Sequence, residues 1–264
     1  MGVSIGYFDG HRLLGSVHLA QRARDAVLLC NPFGEEAARS HRTFRVLATQ
    51  LERVGVSAMR FDYGCTGDSR GESGDASVAD WLADIAIAAE RLRLQTGGAR
   101  LTLVGLRFGA TLAALASAAL RPRHLVMWDP IIDGAAYLSE LADNHRAYMR
   151  EELGEAWHAR AHVREDATPT EALGTPISGA LAAELAAIDL ANVAISATRC
   201  TVISTKPAPG AERLRPHLAR SAQWLELSDT TAWNSDAALN AMVVPMSIVQ
   251  AIVARIEQSS HDPD

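Results

Sequence analysis

The sequence predicts an α/β fold in which a mostly parallel central sheet is flanked by helices, and two observations carry that prediction. Short apolar runs at 26–30 and 124–128 alternate with longer amphipathic segments, a rhythm typical of parallel strands joined by helical crossovers. One apolar run, 100–105, passes through a tight turn at 106–109 into an Ala/Leu-rich helix over 110–120. The rest of the chain is organised around this strand–turn–helix unit.

The remaining elements follow from apolar spacing and turn residues. The pattern predicts a hairpin strand pair over 12–19, helices over 40–54, 78–96, 210–220 and 243–256, and strands over 58–63, 201–204 and 223–227. Between 133 and 193 the strand rhythm stops, and helical stretches flank an irregular segment with Pro169 and Pro176. An insertion of this size near the sheet centre is typical of a lid. We therefore divide the chain into a core part over 1–132, a helical lid over 133–193 and a second core part over 194–264.

Composition excludes several classes of partner. The 264 residues carry a net charge of -6 and no basic stripe, which argues against nucleic acid binding. Cys30, Cys65 and Cys200 lack metal-ligand spacing, and with no secretory start they indicate a reduced, cytoplasmic protein. The longest apolar stretch is too short to span a membrane. We expect no cofactor and no metal, a small-molecule substrate, and leave a homodimer open.

The turn after the central strand has the spacing of a nucleophile elbow. Gly105 and Gly109 each lie two positions from Arg107, as the glycines of Gly-x-Ser-x-Gly lie from the serine that a strained turn exposes. A guanidinium stays protonated and cannot attack a carbonyl. The architecture therefore indicates a hydrolase, while the residue at its centre excludes the usual serine mechanism.

Further motifs occur in order along nearly the whole chain. They are Asn31-Pro-Phe-Gly-Glu-Glu36, Arg60-Phe-Asp-Tyr-Gly64, Thr66-Gly-Asp-Ser69, Gly105-Leu-Arg-Phe-Gly-Ala110, Trp128-Asp-Pro130, Ala135-Ala-Tyr-Leu138, Ala183-Glu-Leu185 with Ile188-Asp-Leu190, and Trp233 with Val244-Pro245. Together they resemble the α/β-hydrolase superfamily. More narrowly, the chain is similar to a bacterial branch of serine-aminopeptidase-like and exosortase-system-associated hydrolases, in which other members also carry Arg at the elbow.

The resemblance implies where the substrate carbonyl is held. In the superfamily the oxyanion hole uses the N–H of the residue after the elbow centre and one from the loop after an earlier strand, which correspond to Phe108 and to Phe33 or Gly34. Gly34 could instead simply make a turn. We expect Tyr63 and Trp233 to shape the substrate pocket.

The resemblance also implies positions for the acid and the histidine of a triad, and neither position is occupied here. The loop at 205–209, after the strand that usually precedes the acid, has no carboxylate before Glu212. The loop at 228–236, where the histidine is expected, contains none. We therefore do not expect an ordinary serine-hydrolase mechanism.

Other residues offer alternative chemistry. Arg107 could clamp a carboxylate, enolate or acyl oxygen, or form a structural ion pair with Asp129, Glu35 or Asp62. Asp129 ends the strand after the elbow and could act in catalysis, or cap the chain before Pro130.

Four further side chains have both a functional and a structural interpretation. His145 could be a general base or a packed helical residue. His158 and His162 share a helix face as a metal pair would, although neighbouring arginines favour a solvated helix. Cys65 could be a nucleophile or a small buried residue.

Three functions remain open from the sequence. The first is an enzyme that eliminates an acyloxy group such as acetate. This case resembles some hydrolase-fold proteins of tetronate biosynthesis, and the resemblance implies a role in specialised, polyketide-type metabolism. The second is an ester or thioester hydrolase with a rearranged site. The third is a non-catalytic module that binds an acyl ligand or a partner.

Overall fold

The computed structural model describes residues 2–154, 169–218, 222–228 and 243–261, the side chain of His261 excepted. Its strands are β1 (Val3–Phe8), β2 (Leu13–His18), β3 (Asp25–Cys30), β4 (Ser57–Phe61), β5 (Arg100–Leu106), β6 (His124–Trp128), β7 (Glu171–Ala172), β8 (Thr175–Pro176), β9 (Arg199–Ser204) and β10 (Gln223–Glu226). Its helices are α1 (Glu35–Arg53), α2 (Val78–Gln95), α3 (Phe108–Leu120), α4 (Gly134–Leu153), α5 (Gly179–Ala186), α6 (Ala211–Leu214) and α7 (Met246–His261).

The main sheet has eight strands in the order β1-β2-β4-β3-β5-β6-β9-β10. From β4 to β10 all neighbours are parallel, and β1 and β2 add an antiparallel edge. One hydrophobic cluster covers the face that carries α2 and α3, and a second covers the face that carries α1 and α7. Burial on both faces explains the continuous apolar runs of the central strands. The predicted fold class is confirmed.

The N-terminal strands differ from the predicted hairpin. Residues 12–19 form the single strand β2, whose partner is the unpredicted β1. Because β1 lies at the sheet edge, its apolar residues Val3, Ile5 and Tyr7 are 51%, 71% and 48% exposed, so they do not mark a buried face. Three of the predicted helices also have clearly different bounds, and the one predicted over 243–256 runs from Met246 to His261. The helix predicted from residue 40 begins at Glu35, where acidic residues in the first turn complement the helix dipole. The helix predicted over 210–220 is only the short α6 followed by a 3-10 turn at Arg215–His217.

The segment predicted as a lid contains α4, the β7–β8 hairpin and α5. Asp133 caps α4 by accepting a hydrogen bond from the N–H of Ala136 at 3.0 Å. A Cβ on Gly134 would lie 1.8 Å from the carbonyl oxygen of Leu185, so glycine allows the two helices to touch through their backbones. Whether this segment acts as a lid stays a prediction, as does the three-part division of the chain.

The described part of the chain contains neither a candidate membrane span nor a candidate metal site. None of the helices within it is sufficiently long and apolar to traverse a bilayer. No group of three or more His, Cys, Asp or Glu residues in these same ranges is arranged to hold a metal ion.

Candidate functional site

The backbone at Arg107 has the geometry of a nucleophile elbow. Arg107 stands between β5 and α3 with φ 52° and ψ -122°, a conformation that costs a residue with a side chain about 1–3 kcal/mol. A Cβ on Gly109 would lie 2.2 Å from the carbonyl oxygens of Cys30 and Asn31. One on Gly105 would lie 2.3 Å from the carbonyl oxygen of Gly109. The two glycines therefore let the start of α3 pack directly on the end of β3, which holds the turn in its strained form.

The Arg107 side chain is buried and paired with two carboxylates. Its Nε donates to Oε1 of Glu36 at 2.9 Å, and its Nη2 donates to Oε1 of Glu140 at 2.7 Å. The guanidinium carbon lies 5.5 Å from the ring centre of Tyr137, whose hydroxyl donates to Glu36 at 3.2 Å. Nη1 has no hydrogen-bond partner within the described ranges. The ion pairs foreseen with Asp129, Glu35 or Asp62 are therefore replaced by pairs with Glu36 and Glu140.

Burial and charge act differently on the two carboxylates. Burial raises the pKa of Glu36, and the nearby Arg107 charge only partly opposes this. Glu140 is also partly buried, but hydrogen bonds and charge from Arg107 and Lys206 bring its pKa below the ordinary value. The two carboxylates raise the pKa of Arg107 although its own burial would lower it. At neutral pH the arginine is therefore a fixed cation next to one firmly ionised carboxylate and one that protonates more readily.

Asp129 joins the ends of two neighbouring strands. It has a left-handed φ of 44° directly after β6, and its carboxylate accepts hydrogen bonds from the N–H of Thr205, at 2.7 Å, and from the Thr205 hydroxyl. Burial raises its pKa, while the Thr205 hydrogen bonds oppose the rise. Asp129 is thus a positioned, buried carboxylate that ties the end of β6 to the loop after β9.

Arg107 and Asp129 line one cavity of about 280 Å³, which we call the elbow cavity. Its polar lining also includes Asp133, Tyr137, Glu140 and Lys206, and its apolar lining comes from residues 130–132, 136 and 207–209. Lys206 reaches Glu140 at 3.3 Å and is 43% exposed, so it marks the open side of the network. The elbow cavity can hold a small acyl group between cations and carboxylates.

The residues expected to bind the substrate carbonyl lie in a different and larger cavity. Phe33, Gly34, Tyr63 and Phe108 all line a space of about 710 Å³, which we call the aromatic cavity. Trp81 also lines it, with ring centres 5.7 to 6.2 Å from those of Phe33, Tyr63 and Phe108. Within the described ranges, the backbone N–H groups of Phe33, Gly34 and Phe108 make no hydrogen bond, as an oxyanion hole requires. The structure thus brings these four predicted residues together.

Of the other predicted residues that the structure describes, Cys65 lines the aromatic cavity and His145 lines neither cavity. His145 lies on α4, where its Nδ1 accepts a hydrogen bond from the N–H of Leu173 at 3.2 Å. Among the described contacts, none joins His145 to Arg107 or Asp129. Trp233, the remaining predicted pocket residue, lies outside the described residues, as do His158 and His162.

Sequence reasoning missed the residues that surround Arg107. Glu36 belongs to the motif at 31–36, but no local signal links it to a residue 71 positions away. Glu140 had a signal, because it lies three positions after Tyr137 on α4 and therefore shares its helix face. Thr205 and Lys206 belong to the loop at 205–209, whose sequence signal was only the absence of the expected triad acid.

Comparison with known proteins supports the fold and not a closer relationship. No protein-family model matches the chain, and no curated protein matches its sequence. Among solved structures, Est1E from Butyrivibrio proteoclasticus is 14% identical with a TM-score of 0.66, covering 99% of this chain and 100% of that one. The α/β-hydrolase GrgF from Penicillium is 16% identical with a TM-score of 0.66 and 98% coverage of both chains.

A third solved structure is XC6422 from Xanthomonas campestris, described as a member of the α/β serine hydrolases without a lid. It is 16% identical, with a TM-score of 0.56, and the match covers 97% of this chain and 95% of that one. The strand order, the strained elbow and the likeness to these three structures all indicate the same fold. The chain has the α/β-hydrolase fold.

Proposed function

We propose that the chain is an enzyme that acts on an acyl-bearing small molecule without a Ser-His-Asp triad, by eliminating a small acyloxy group rather than hydrolysing an ester. The observation that carries the proposal is the buried, ion-paired Arg107 at the elbow, where the fold usually presents a nucleophile. A guanidinium can bind an oxyanion but cannot form an acyl-enzyme. Chemistry at this position therefore has to proceed without a covalent intermediate.

The elbow cavity holds groups suited to such a reaction. Nη1 of Arg107 is available to hydrogen-bond a carbonyl oxygen that becomes an enolate. Asp129 is a positioned carboxylate whose pKa is raised by burial, which makes it a better proton acceptor than an ordinary aspartate. Lys206 at the open side would attract the departing carboxylate.

The proposed step balances without a second reactant. Asp129 removes a proton from the carbon next to the substrate carbonyl, and the electron pair of that C–H bond forms a C=C bond. The neighbouring C–O bond breaks, and its electron pair leaves with the acyloxy group as a carboxylate. No water is consumed, so both oxygens of the released acid come from the substrate. A cavity of about 280 Å³ suits a group of acetate size.

The test follows the source of oxygen in the released acid. The purified protein is incubated with a β-acetoxy ketone such as 4-acetoxy-2-butanone in water enriched in oxygen-18, and the products are followed by mass spectrometry. We expect unlabelled acetate and the corresponding enone. Acetate that carries solvent oxygen would indicate hydrolysis, and release no faster than in buffer across a panel of acyloxy carbonyl compounds would indicate a non-catalytic module.

Variants connect the reaction to the elbow cavity. Asp129→Asn should lower turnover by roughly 100-fold, the usual scale for a general base, and Lys206→Met should weaken it less. The matched control is Asp143→Asn, which changes an exposed carboxylate on α4 and should leave turnover unchanged. Equal rates for Asp129→Asn and Asp143→Asn would contradict the assignment of the base.

A hydrolase that uses Cys65 is the second candidate. Cys65 lines the aromatic cavity and has a left-handed φ of 63°, as nucleophiles in tight turns often do. Against it, burial and nearby carboxylates raise the pKa of its thiol, which leaves little thiolate at neutral pH. Loss of turnover in Cys65→Ala, with solvent oxygen in the acid, would favour this candidate.

We also propose a narrower setting for the protein. The motifs at 31–36, 60–64 and 105–110 support a place in the bacterial branch that the sequence resembles, with Arg at the elbow. The free thiols of Cys30, Cys65 and Cys200 support a reducing, cytoplasmic location. An acyloxy elimination would fit specialised biosynthesis, where an acetylated intermediate must first be supplied by an acyltransferase.

A further inference from the structure

The aromatic cavity has a polar end that the proposed reaction does not use. Arg60 on β4 stands opposite Ser16 on β2, and both residues line the cavity on the face of the sheet that carries α1. Nη1 of Arg60 donates to Nε2 of His41 on α1 at 3.1 Å. Within the described ranges no carboxylate forms an ion pair with Arg60. A half-buried cation therefore faces the cavity with a neutral imidazole acceptor as its hydrogen-bonded neighbour.

Two polar atoms at this end lack partners. Nε of Arg60 and Oγ of Ser16 are both buried, and neither has a hydrogen-bond partner in the described part of the chain. Ser16 is only 8% exposed, so solvent does not reach it freely. Native proteins leave few buried polar groups unsatisfied, and each such group needs an explanation. Because two such atoms lie side by side on the wall of a cavity, we infer that a ligand supplies the hydrogen bonds that both of them lack.

The surrounding charges favour a ligand with a single negative charge. Burial, with a smaller effect from the exposed Arg45 on α1, lowers the pKa of Arg60, and solvent screens the Arg45 charge at the subsite. Asp62 is the nearby carboxylate, and it is held by the N–H of Asp68 at 3.1 Å and approached by the Asn31 amide at 3.4 Å. Its charge would repel a dianion more strongly than a monoanion. A carboxylate therefore fits this end better than a phosphate.

We propose that Arg60 and Ser16 form a subsite for the carboxylate of a small organic acid whose apolar body lies against the rings of the aromatic cavity. Nε–H and Nη2–H, on one edge of the guanidinium, donate to the two carboxylate oxygens in the fork geometry that arginine favours. The Ser16 hydroxyl donates a further hydrogen bond to one of them. Trp81 and Phe108 receive the apolar body at the other end of the same cavity. This subsite does not depend on the proposed elimination, because it is tested by binding alone.

The test uses two probes that differ only in charge, 4-phenylbutyrate and 4-phenylbutyramide, with affinities measured by isothermal titration calorimetry. We expect the unmodified protein to bind the carboxylate at least about 10-fold more tightly than the amide, as a charge-assisted bidentate pair implies. Arg60→Met should reduce the carboxylate affinity to that of the amide and leave amide binding unchanged. Ser16→Ala should weaken carboxylate binding about 3-fold or more through one lost hydrogen bond.

The matched control is Arg45→Met, which removes the same charge from an exposed position on α1 outside the cavity lining. It should change either affinity by less than about 2-fold, because exposed charges are screened. Circular dichroism and thermal melting check folding; if Arg60→Met does not fold, Ser16→Ala decides by itself.

Several results would overturn the proposal. Equal affinity of the two probes for the unmodified protein, or no binding of either at millimolar concentration, would remove the subsite. An effect of Arg45→Met as large as that of Arg60→Met would show a general charge effect. Displacement of 4-phenylbutyrate by inorganic phosphate at lower concentration than the probe itself would assign the site to phosphate instead.

Discussion

Nε of Arg107 donates a hydrogen bond to Oε1 of Glu36 across 2.9 Å, although the two residues lie 71 positions apart in the sequence. The pair joins the centre of the elbow to the first turn of α1. Both side chains are almost fully buried, so each charge depends on the other for its solvation. The elbow of this protein is therefore held by an internal ion pair as well as by its glycines.

Removal of Arg107 should destabilise the protein strongly and in a pH-dependent way. Arg107→Met leaves the buried Glu36 without its cation and Glu140 with Lys206 alone, which costs about 3–5 kcal/mol of unfolding free energy at pH 7.5. Burial already raises the pKa of Glu36, and loss of Arg107 raises it further. In the folded variant Glu36 therefore stays protonated above pH 4.5, its ordinary pKa. The stability gained from this protonation is present at low pH and is lost as the pH rises through the raised pKa. Urea denaturation at pH 4.5 and 7.5 should show the smaller loss at pH 4.5.

A double variant separates the pair from the elbow backbone. Glu36→Gln combined with Arg107→Met should be more stable than Arg107→Met alone at pH 7.5, because no buried charge is left without its partner. A loss of stability that is the same at both pH values, or a double variant no better than the single one, would contradict the ion-pair explanation.

Gly109→Ala should be among the most damaging single methyl additions in the chain. The new Cβ would lie 2.2 Å from two backbone oxygens at the end of β3, and backbone cannot move aside as a flexible side chain can. We expect a loss of about 3 kcal/mol or more in unfolding free energy. Gly6→Ala is the control, because a Cβ there meets nothing within 4 Å. Similar unfolding free energies for the two variants would refute the close approach of α3 to β3.

His124 should make the protein sensitive to acid. Its ring is buried on β6, its Nε2 lies 2.9 Å from the Thr201 hydroxyl, and its Nδ1 has no partner within the described ranges. Burial, together with the charges of Arg199, Arg123 and Arg255, lowers its pKa from 6.5 to about 4. Because the folded state favours the neutral ring, His124 contributes to the free energy of unfolding above pH 6.5. This contribution, up to about 3 kcal/mol, is lost as the pH falls toward 4.

The measurement is the pH dependence of unfolding free energy for the unmodified protein and for His124→Gln. The variant keeps a polar side chain beside Thr201 but cannot titrate. The difference between the two curves should change across pH 6.5 to 4 and stay constant above pH 7. A constant difference throughout would mean that His124 does not carry the effect.

The three cysteines should differ in reactivity. Burial raises the pKa of Cys30 and of Cys200 to about 12, and it raises that of the half-buried Cys65 less. Iodoacetamide at pH 7.5 should therefore modify Cys65 first, more slowly than it modifies glutathione, and the other two only after denaturation. Peptide mass spectrometry over time resolves the order. Labelling of Cys65 faster than glutathione would instead support its role as a nucleophile.

The sequence was sufficient for the parts of this fold that depend on local patterns. The strand His124–Trp128 has its predicted bounds because its apolar run is buried on both faces of the sheet. The elbow followed from the spacing of Gly105 and Gly109, since close backbone packing needs glycine at both positions. The edge strand β1 was missed because its side chains are mostly exposed and leave no pattern of burial.

The site was harder to predict because its residues meet only through tertiary structure. Arg107 was singled out, but its partner Glu140 lies 33 positions away on a helix of the inserted segment. Whether Phe108 and Arg107 would share a cavity could not be read from their adjacency. Successive residues at the start of a helix point in different directions, and here they line separate spaces. The partnerless atoms of Arg60 and Ser16 likewise emerge only when β2 and β4 are paired.

The ion-paired arginine has a consequence for attempts to convert this protein into a conventional esterase. A serine at position 107 would inherit a backbone already bent for a nucleophile, yet the buried Glu36 nearby would have lost its counter-ion. Neither Glu36 nor Glu140 is an imidazole, and their combined negative potential would oppose the alkoxide that attack requires. The conversion therefore has to begin at Glu36 and Glu140, with position 107 changed last.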